Sequence, residues 1–238
     1  MMAKANSFKQ KSSEKAIIFD SGTLISFSMN GLTDIIKKLK EIFKGKFLIT
    51  QQVKKEVIDV PLKIKKFELE ALKIKALLDE GVLELPSSLG IKDFDIEIRD
   101  NKMLGIANST FSGKGRDINL LDHGETSCLA LSKILTEREI KNVIAVDERT
   151  TRLLAEKPEN LRNILEERMH TKITIKNQNI GIFKDFKIIR STELVYVAYK
   201  RNLVELKGEQ VLDALLYALK FKGAAISGEE IEQIKKLA

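Results

Sequence analysis

The sequence predicts an α/β protein: a three-layer α/β/α fold around a central parallel sheet, with extra helical and β-ribbon segments. Three observations lead there. Short apolar runs of strand length alternate with segments of helical period, two of those runs end in an aspartate, and 43% hydrophobic residues in 238 are enough to fill one core. Alternating β and α segments require parallel strands covered by helices on both faces. In such sheets ligands bind beyond the carboxyl ends of the strands.

Taken in order, residues 16–19 (AIIF) form a buried strand that runs into Asp20. Residues 31–43 form an amphipathic helix, with Leu32, Ile35, Ile36, Leu39 and Phe43 on one face. A short strand follows at 46–49. Thr50 can cap a helix running through Val57, which Pro61 ends. A helix at 63–80 carries Ile64, Phe67, Ala71, Ile74 and Leu78 and stops at Gly81, and residues 82–85 are another strand candidate. Residues 107–119 (ANSTFSGKGRDIN) read as a polar, glycine-bearing loop. Then come a helix at 121–135, a buried strand at 142–146 ending at Asp147, and a helix beginning at Glu148 or Arg149. Residues 158–187 read as one helix and a β-ribbon. Helices at 191–201 and 208–222 follow, and Ser227 with Glu230 forms a capping box that opens the last one.

The layout is a polar tail over residues 1–14, a main domain over 15–225 with an insertion at about 158–187, and a C-terminal helix within 226–238. No apolar run approaches the roughly 20 residues that cross a bilayer. The first 15 residues carry four lysines and no apolar stretch of the secretory type, so a cytoplasmic address without membrane association is expected. A single cysteine, Cys128, excludes an internal disulfide and any multi-cysteine zinc site. It reads as a small core residue, and His123 and His170 as surface or capping residues. The net charge of +7 is uneven: residues 1–75 hold 16 lysines against 8 acids, a balance of +8. Such a patch attracts polyanions by releasing their counterions, although solvated charge on a heat-adapted protein has the same composition.

The stretch FDSGTL raises a choice. Phosphatase-type chemistry of that pattern needs a nucleophilic Asp and, two residues later, a second Asp as general acid. Here that place is Gly22, which has no proton to give, so a phosphatase-like hydrolase is the lesser alternative. The other reading rests on four acids in order: Asp20 after a strand, Glu56 in the early turns of a helix, Glu125 in DHGETSCLALS, and Asp147 in VIAVDE. An acid next to the apolar run IIF is costly to bury unpaired. Three or four carboxylates are stable in one crevice only if a divalent cation offsets their repulsion, and Mg²⁺ or Mn²⁺ prefers hard oxygen ligands.

With the Gly-Glu opening of a small-residue helix, the Asp that precedes a helix carrying basic residues (VDERTTRLLAEK) and the closing IRSTELVYVAYKRNLV, this pattern resembles the PIN-domain nucleases over about residues 16–225. The resemblance implies a metal-dependent endoribonuclease that leaves a 5′-phosphate and a 3′-hydroxyl. Asp20, Glu125 and Asp147 would hold Mg²⁺ or Mn²⁺, and Glu56 would complete the cluster. Ser21, Asp122 and Thr192 are expected behind the ligands, with Thr192 capping its helix. Gly22 departs from the family, many of whose members carry a hydroxyl there. RNA is the expected partner, guided by Lys37, Lys38, Lys40, Lys54, Lys55, Lys114 and Arg116, with Phe111 stacking on a base. Homodimerisation and an antitoxin-like protein partner are further expectations of the resemblance. The principal alternative is a non-catalytic, RNA-binding or scaffolding PIN domain.

Overall fold

A computed structural model describes residues 14–237. The tail expected over 1–14 lies outside the described residues except for Glu14. Strand β1 (Lys15–Phe19) is buried along Ala16, Ile17, Ile18 and Phe19, as a strand covered on both faces must be. The chain continues through α1 (Ser21–Met29) and α2 (Thr33–Phe43) into β2 (Lys46–Leu48). Ile35, Ile36 and Leu39 form the buried stripe of α2, and Lys44 ends it in the left-handed region at φ 52°.

Thr50 caps α3 (Gln51–Lys54), its Oγ1 accepting from Val53 N at 3.1 Å. The helix then widens into a π-helical turn, Lys55–Asp59, which buries Val57 and Ile58 side by side and shifts Glu56 relative to α-helical spacing. The helix expected from residue 63 begins later, as α4 (Glu68–Asp79), because Pro61 starts a separate 3-10 turn. The strand expected at 82–85 reduces to a single bridge, Leu48 to Glu84. Pro86 has no N–H to extend the ladder and turns the chain into another 3-10 segment.

Next comes α5 (Asp93–Ala107), followed by a hairpin of β3 (Phe111–Gly113) and β4 (Arg116–Asp117) in place of the expected loop. Then follow α6 (His123–Glu137), β5 (Lys141–Ala145), α7 (Arg149–Glu156), α8 (Pro158–Met169), β6 (Ile173–Ile175), α9 (Asn177–Ile180), β7 (Ile188–Ile189), α10 (Ser191–Lys200), α11 (Val211–Phe221) and α12 (Gly228–Lys236). The ribbon expected inside 158–187 is instead formed across the chain. β6 pairs antiparallel with β3, Ser112 opposite Thr174, and closes a small three-stranded sheet in the order β4-β3-β6.

The central sheet is parallel throughout, in the order β2-β1-β5-β7, within a three-layer α/β/α arrangement. α6 packs on β1 and β5 and carries α5 against it, while α10 contacts α1, α2 and α11. A satellite cluster of Leu212, Leu216, Ile226 and Ile231 joins α12 to α11. Among the described residues no helix is long and apolar enough to cross a membrane. Going from β1 to β2 and then back across to β5 and β7, the chain reverses direction between β1 and β5. Their carboxyl ends are therefore the switch point where such sheets take ligands.

Candidate functional site

Asp20 stands at that point. Its backbone N–H continues the β1–β5 ladder to Ala145 O at 3.0 Å, and its side chain begins α1, with Gly22 N donating to Oδ2 at 3.1 Å. Only 3% of the residue is exposed, and Oδ1 has no hydrogen-bond partner. Burial pushes the carboxyl up to about 7. The Gly22 and Ser21 N–H groups oppose this, and the nearby carboxylates of Glu56 and Asp122 add to it. Ser21 thus acts through its backbone, at the first position of α1.

The start of α6 brings two more acids. Asp122 caps the helix, accepting from Gly124 N at 3.1 Å, while Glu125 Oε2 accepts from Asp122 N at 2.9 Å, a reciprocal capping box. Burial first, then its Asp122 neighbour and the Asp20 charge, hold the Glu125 carboxyl well above the usual range. Glu56 approaches from the π-helical turn, where Gln52 Nε2 donates to its Oε1 at 2.8 Å. A Cβ on Gly124 would lie 2.6 Å from Glu56 Oε2, so only glycine admits this approach without displacing the glutamate. The Gly-Glu pair therefore has two functions: the glycine makes room for Glu56, and the glutamate completes the capping box beside it. Beneath them Cys128 donates to Phe19 O at 3.7 Å, and its thiol is pushed up by burial and by the field of Asp20, Glu56 and Glu125. That suits a core residue with no nucleophilic role.

Asp147 follows the end of β5. In the β1–β5 register Phe19 is opposite Ala145, so Asp147 lies one residue beyond the partner of Asp20. Its Oδ1 accepts from Ser191 N at 2.8 Å, fixing the start of α10. Burial raises its carboxyl, opposed by the Ser191 N–H and by the Ser191 and Ser26 hydroxyls beside it, neither of which completes a hydrogen bond to Oδ2. Thr192 is fully buried but does not cap α10. That position belongs to Arg190, whose guanidinium binds Glu193 and Glu230.

Six buried side-chain polar atoms lack a partner among the described residues. Five of them, Asp20 Oδ1, Thr23 Oγ1, Asp147 Oδ2, Ser191 Oγ and Thr192 Oγ1, come from the carboxyl ends of β1 and β5 and the first turns of α1 and α10. Buried oxygens left unpaired in one district of a fold mark a place for an ion or ordered water. Among the described residues no three or more His, Cys, Asp or Glu are already gathered as a ligand set. The donors nevertheless fit a hard divalent cation in kind: carboxylate and hydroxyl oxygens, with two buried carboxyl oxygens, Asp20 Oδ1 and Asp147 Oδ2, free.

The basic residues divide. Lys37 pairs with Glu80 at 2.7 Å, Lys38 with Glu205 at 3.0 Å, Lys40 with Glu84 at 2.9 Å and Lys54 with Asp59 at 2.7 Å. These ion pairs engage Lys37, Lys38, Lys40 and Lys54 with acids of other segments or of their own. Lys55 faces a polar cleft, while Lys114 and Arg116 are exposed on the β3–β4 hairpin. Phe111 is fully buried and cannot stack on a base.

Asp100 had no signal in the sequence: it is a charged residue on the buried side of α5, 5% exposed, bound by His123 Nδ1 at 2.7 Å and by the Thr126 hydroxyl. No family model, curated protein or solved structure matches the chain.

Proposed function

We propose that this protein is a divalent-metal-dependent ribonuclease acting through the acids at the carboxyl end of β1. The carrying observation is that Asp20, Glu56, Asp122 and Glu125, from three separate elements, act on one another electrostatically at the topological switch point of a parallel sheet. Carboxyls of Asp20 and Glu125, raised by burial first and then by neighbouring carboxylates, would be at rest with a cation to neutralise them.

Asp20, Glu56 and Glu125 would hold Mg²⁺ or Mn²⁺, and Asp147 offers its free Oδ2 from the neighbouring strand. Such an ion, when bound, would supply a water of lowered pKa and a positive charge for a phosphodiester oxygen. Asp122 fixes the start of α6 so that Glu125 and Gly124 stay in place. Lys114 and Arg116, exposed on the β3–β4 hairpin, would meet RNA phosphates. The resemblance to PIN-domain nucleases favours the same chemistry. A second reading, an RNA-binding domain without catalysis, is favoured by the Glu125 side chain, which is already engaged in its capping box.

The test is cleavage of labelled single-stranded and hairpin RNA in Mn²⁺, Mg²⁺ or EDTA by the wild type and by an Asp20→Asn, Asp147→Asn double variant. The ribonuclease reading expects metal-dependent cutting lost in the variant. RNA binding without cutting would support the second reading.

A further inference from the structure

Beside the acid cluster lies a cleft of about 530 Å³ between α3, α5 and the start of α6. We propose that this cleft binds the sugar and base of a nucleotide adjoining the cleaved bond, an inference that rests on the ribonuclease reading. Its size is that of a small-ligand pocket, roughly 300–1,000 Å³. Its wall is polar: the amides of Gln51, Gln52 and Asn101, the carboxylate of Glu97, the ammonium of Lys55 and the ring of His123. Gln52 also donates to Glu56, so this wall continues into the acid cluster with one side chain between them.

Charge decides which part of a nucleotide it takes. Four carboxylates and one lysine line the space. Asp59 is held by Lys54 and Asp100 by His123, which leaves Asp93 and Glu97 against Lys55. A phosphate would be repelled there, whereas ribose hydroxyls and the exocyclic amino groups of bases are donors that carboxylates and amide oxygens accept. The His123 ring is oriented for this. Asp100, buried and also bound by Thr126, receives Nδ1 at 2.7 Å, which leaves Nε2 for a ligand on a side chain that is about half exposed. Asp100 is then a positioning residue, and its burial on α5 follows from holding that ring.

The test uses the full chain in EDTA, where cleavage is excluded, and reads the affinity for a labelled 12-nucleotide single-stranded RNA by fluorescence anisotropy. Gln51→Ala with Asn101→Ala removes two exposed amides and leaves the core untouched. The proposal expects roughly tenfold weaker binding, about one good hydrogen bond, with an unchanged melting temperature. His123→Gln should weaken binding in the same direction. Wild-type RNA affinity in both variants overturns the proposal, as does a double variant that keeps RNA affinity but loses binding of spermidine, which would make the cleft a cation site. Asp20→Asn separates the two readings. It should bind RNA like the wild type and fail to cut it; cutting by that variant would sink the nuclease reading while leaving the cleft measurement interpretable.

Discussion

Replacing Asp20 with asparagine should stabilise the metal-free protein above neutral pH. The carboxyl is moved from 3.8 to about 7 by burial, with the charges of Glu56 and Asp122 adding to it. At 1.36 kcal/mol per pKa unit, that is roughly 4 kcal/mol against the ionised form. The pH dependence follows from the sign. Well below 3.8 the group is protonated in both folded and unfolded chains and costs nothing. As pH rises to 7 the unfolded chain ionises first, and above 7 the full penalty is present. Asparagine still caps α1, but its buried NH₂ would face the position where Oδ1 has no partner, an offset of roughly 1–3 kcal/mol. The expected net gain is therefore about 1–3 kcal/mol at pH 8, falling to zero or reversing at pH 4. Urea denaturation followed by circular dichroism in EDTA at several pH values measures it. A variant less stable than the wild type at pH 8, or a stability difference that does not change with pH, would refute the electrostatic reasoning.

Gly124→Ala should cost less than about 1 kcal/mol, because Glu56 can swing away from the new methyl group, yet metal-dependent cleavage should fall sharply; normal cleavage would show that Glu56 need not lie there. Asp147→Ala leaves Ser191 N without an acceptor and should lose roughly 1–3 kcal/mol in urea denaturation, whereas Asp147→Asn, which keeps an acceptor, should lose clearly less. Arg190→Ala removes a guanidinium that holds both Glu193 and Glu230 beside the α12 segment. About 2 kcal/mol of stability should go with it, since both glutamates can be hydrated in its absence.

Much of the central sheet was legible because its strands are continuous apolar runs. Residues 16–19 and 142–146 are apolar runs of strand length between turn and helix signals, and the structure places β1 and β5 there. The α12 capping box was equally readable, since Ser227 and Glu230 satisfy each other's backbone N–H groups locally. Helix α5 was not legible. Phe94, Ile96 and Ile98 alternate with acids like a strand, Phe94 and Ile98 are exposed, and one of its buried positions is the charged Asp100. The β3–β6 pairing joins residues about 60 apart, which no local pattern carries.

The same division runs through the site. That Asp20, Glu56 and Glu125 share a neighbourhood follows from their places after β1, after β2 and at the start of α6. That Asp147 faces Ser191 depends on a one-residue offset in register, which the two sequences VIAVDE and IIFDSG do not contain. The lysine-rich first third drew attention as an RNA path. Lys37, Lys38, Lys40 and Lys54 proved to have acidic partners from distant or neighbouring segments, and only the fold could supply those.

The most direct test of the acid cluster as a cation site is a calorimetric titration of the protein with Mn²⁺ at pH 7.5, repeated on Asp20→Asn. The account predicts saturable binding to the wild type, with proton release as the raised carboxyls ionise, and its loss in the variant. No binding to the wild type, or equal binding to both proteins, would contradict it.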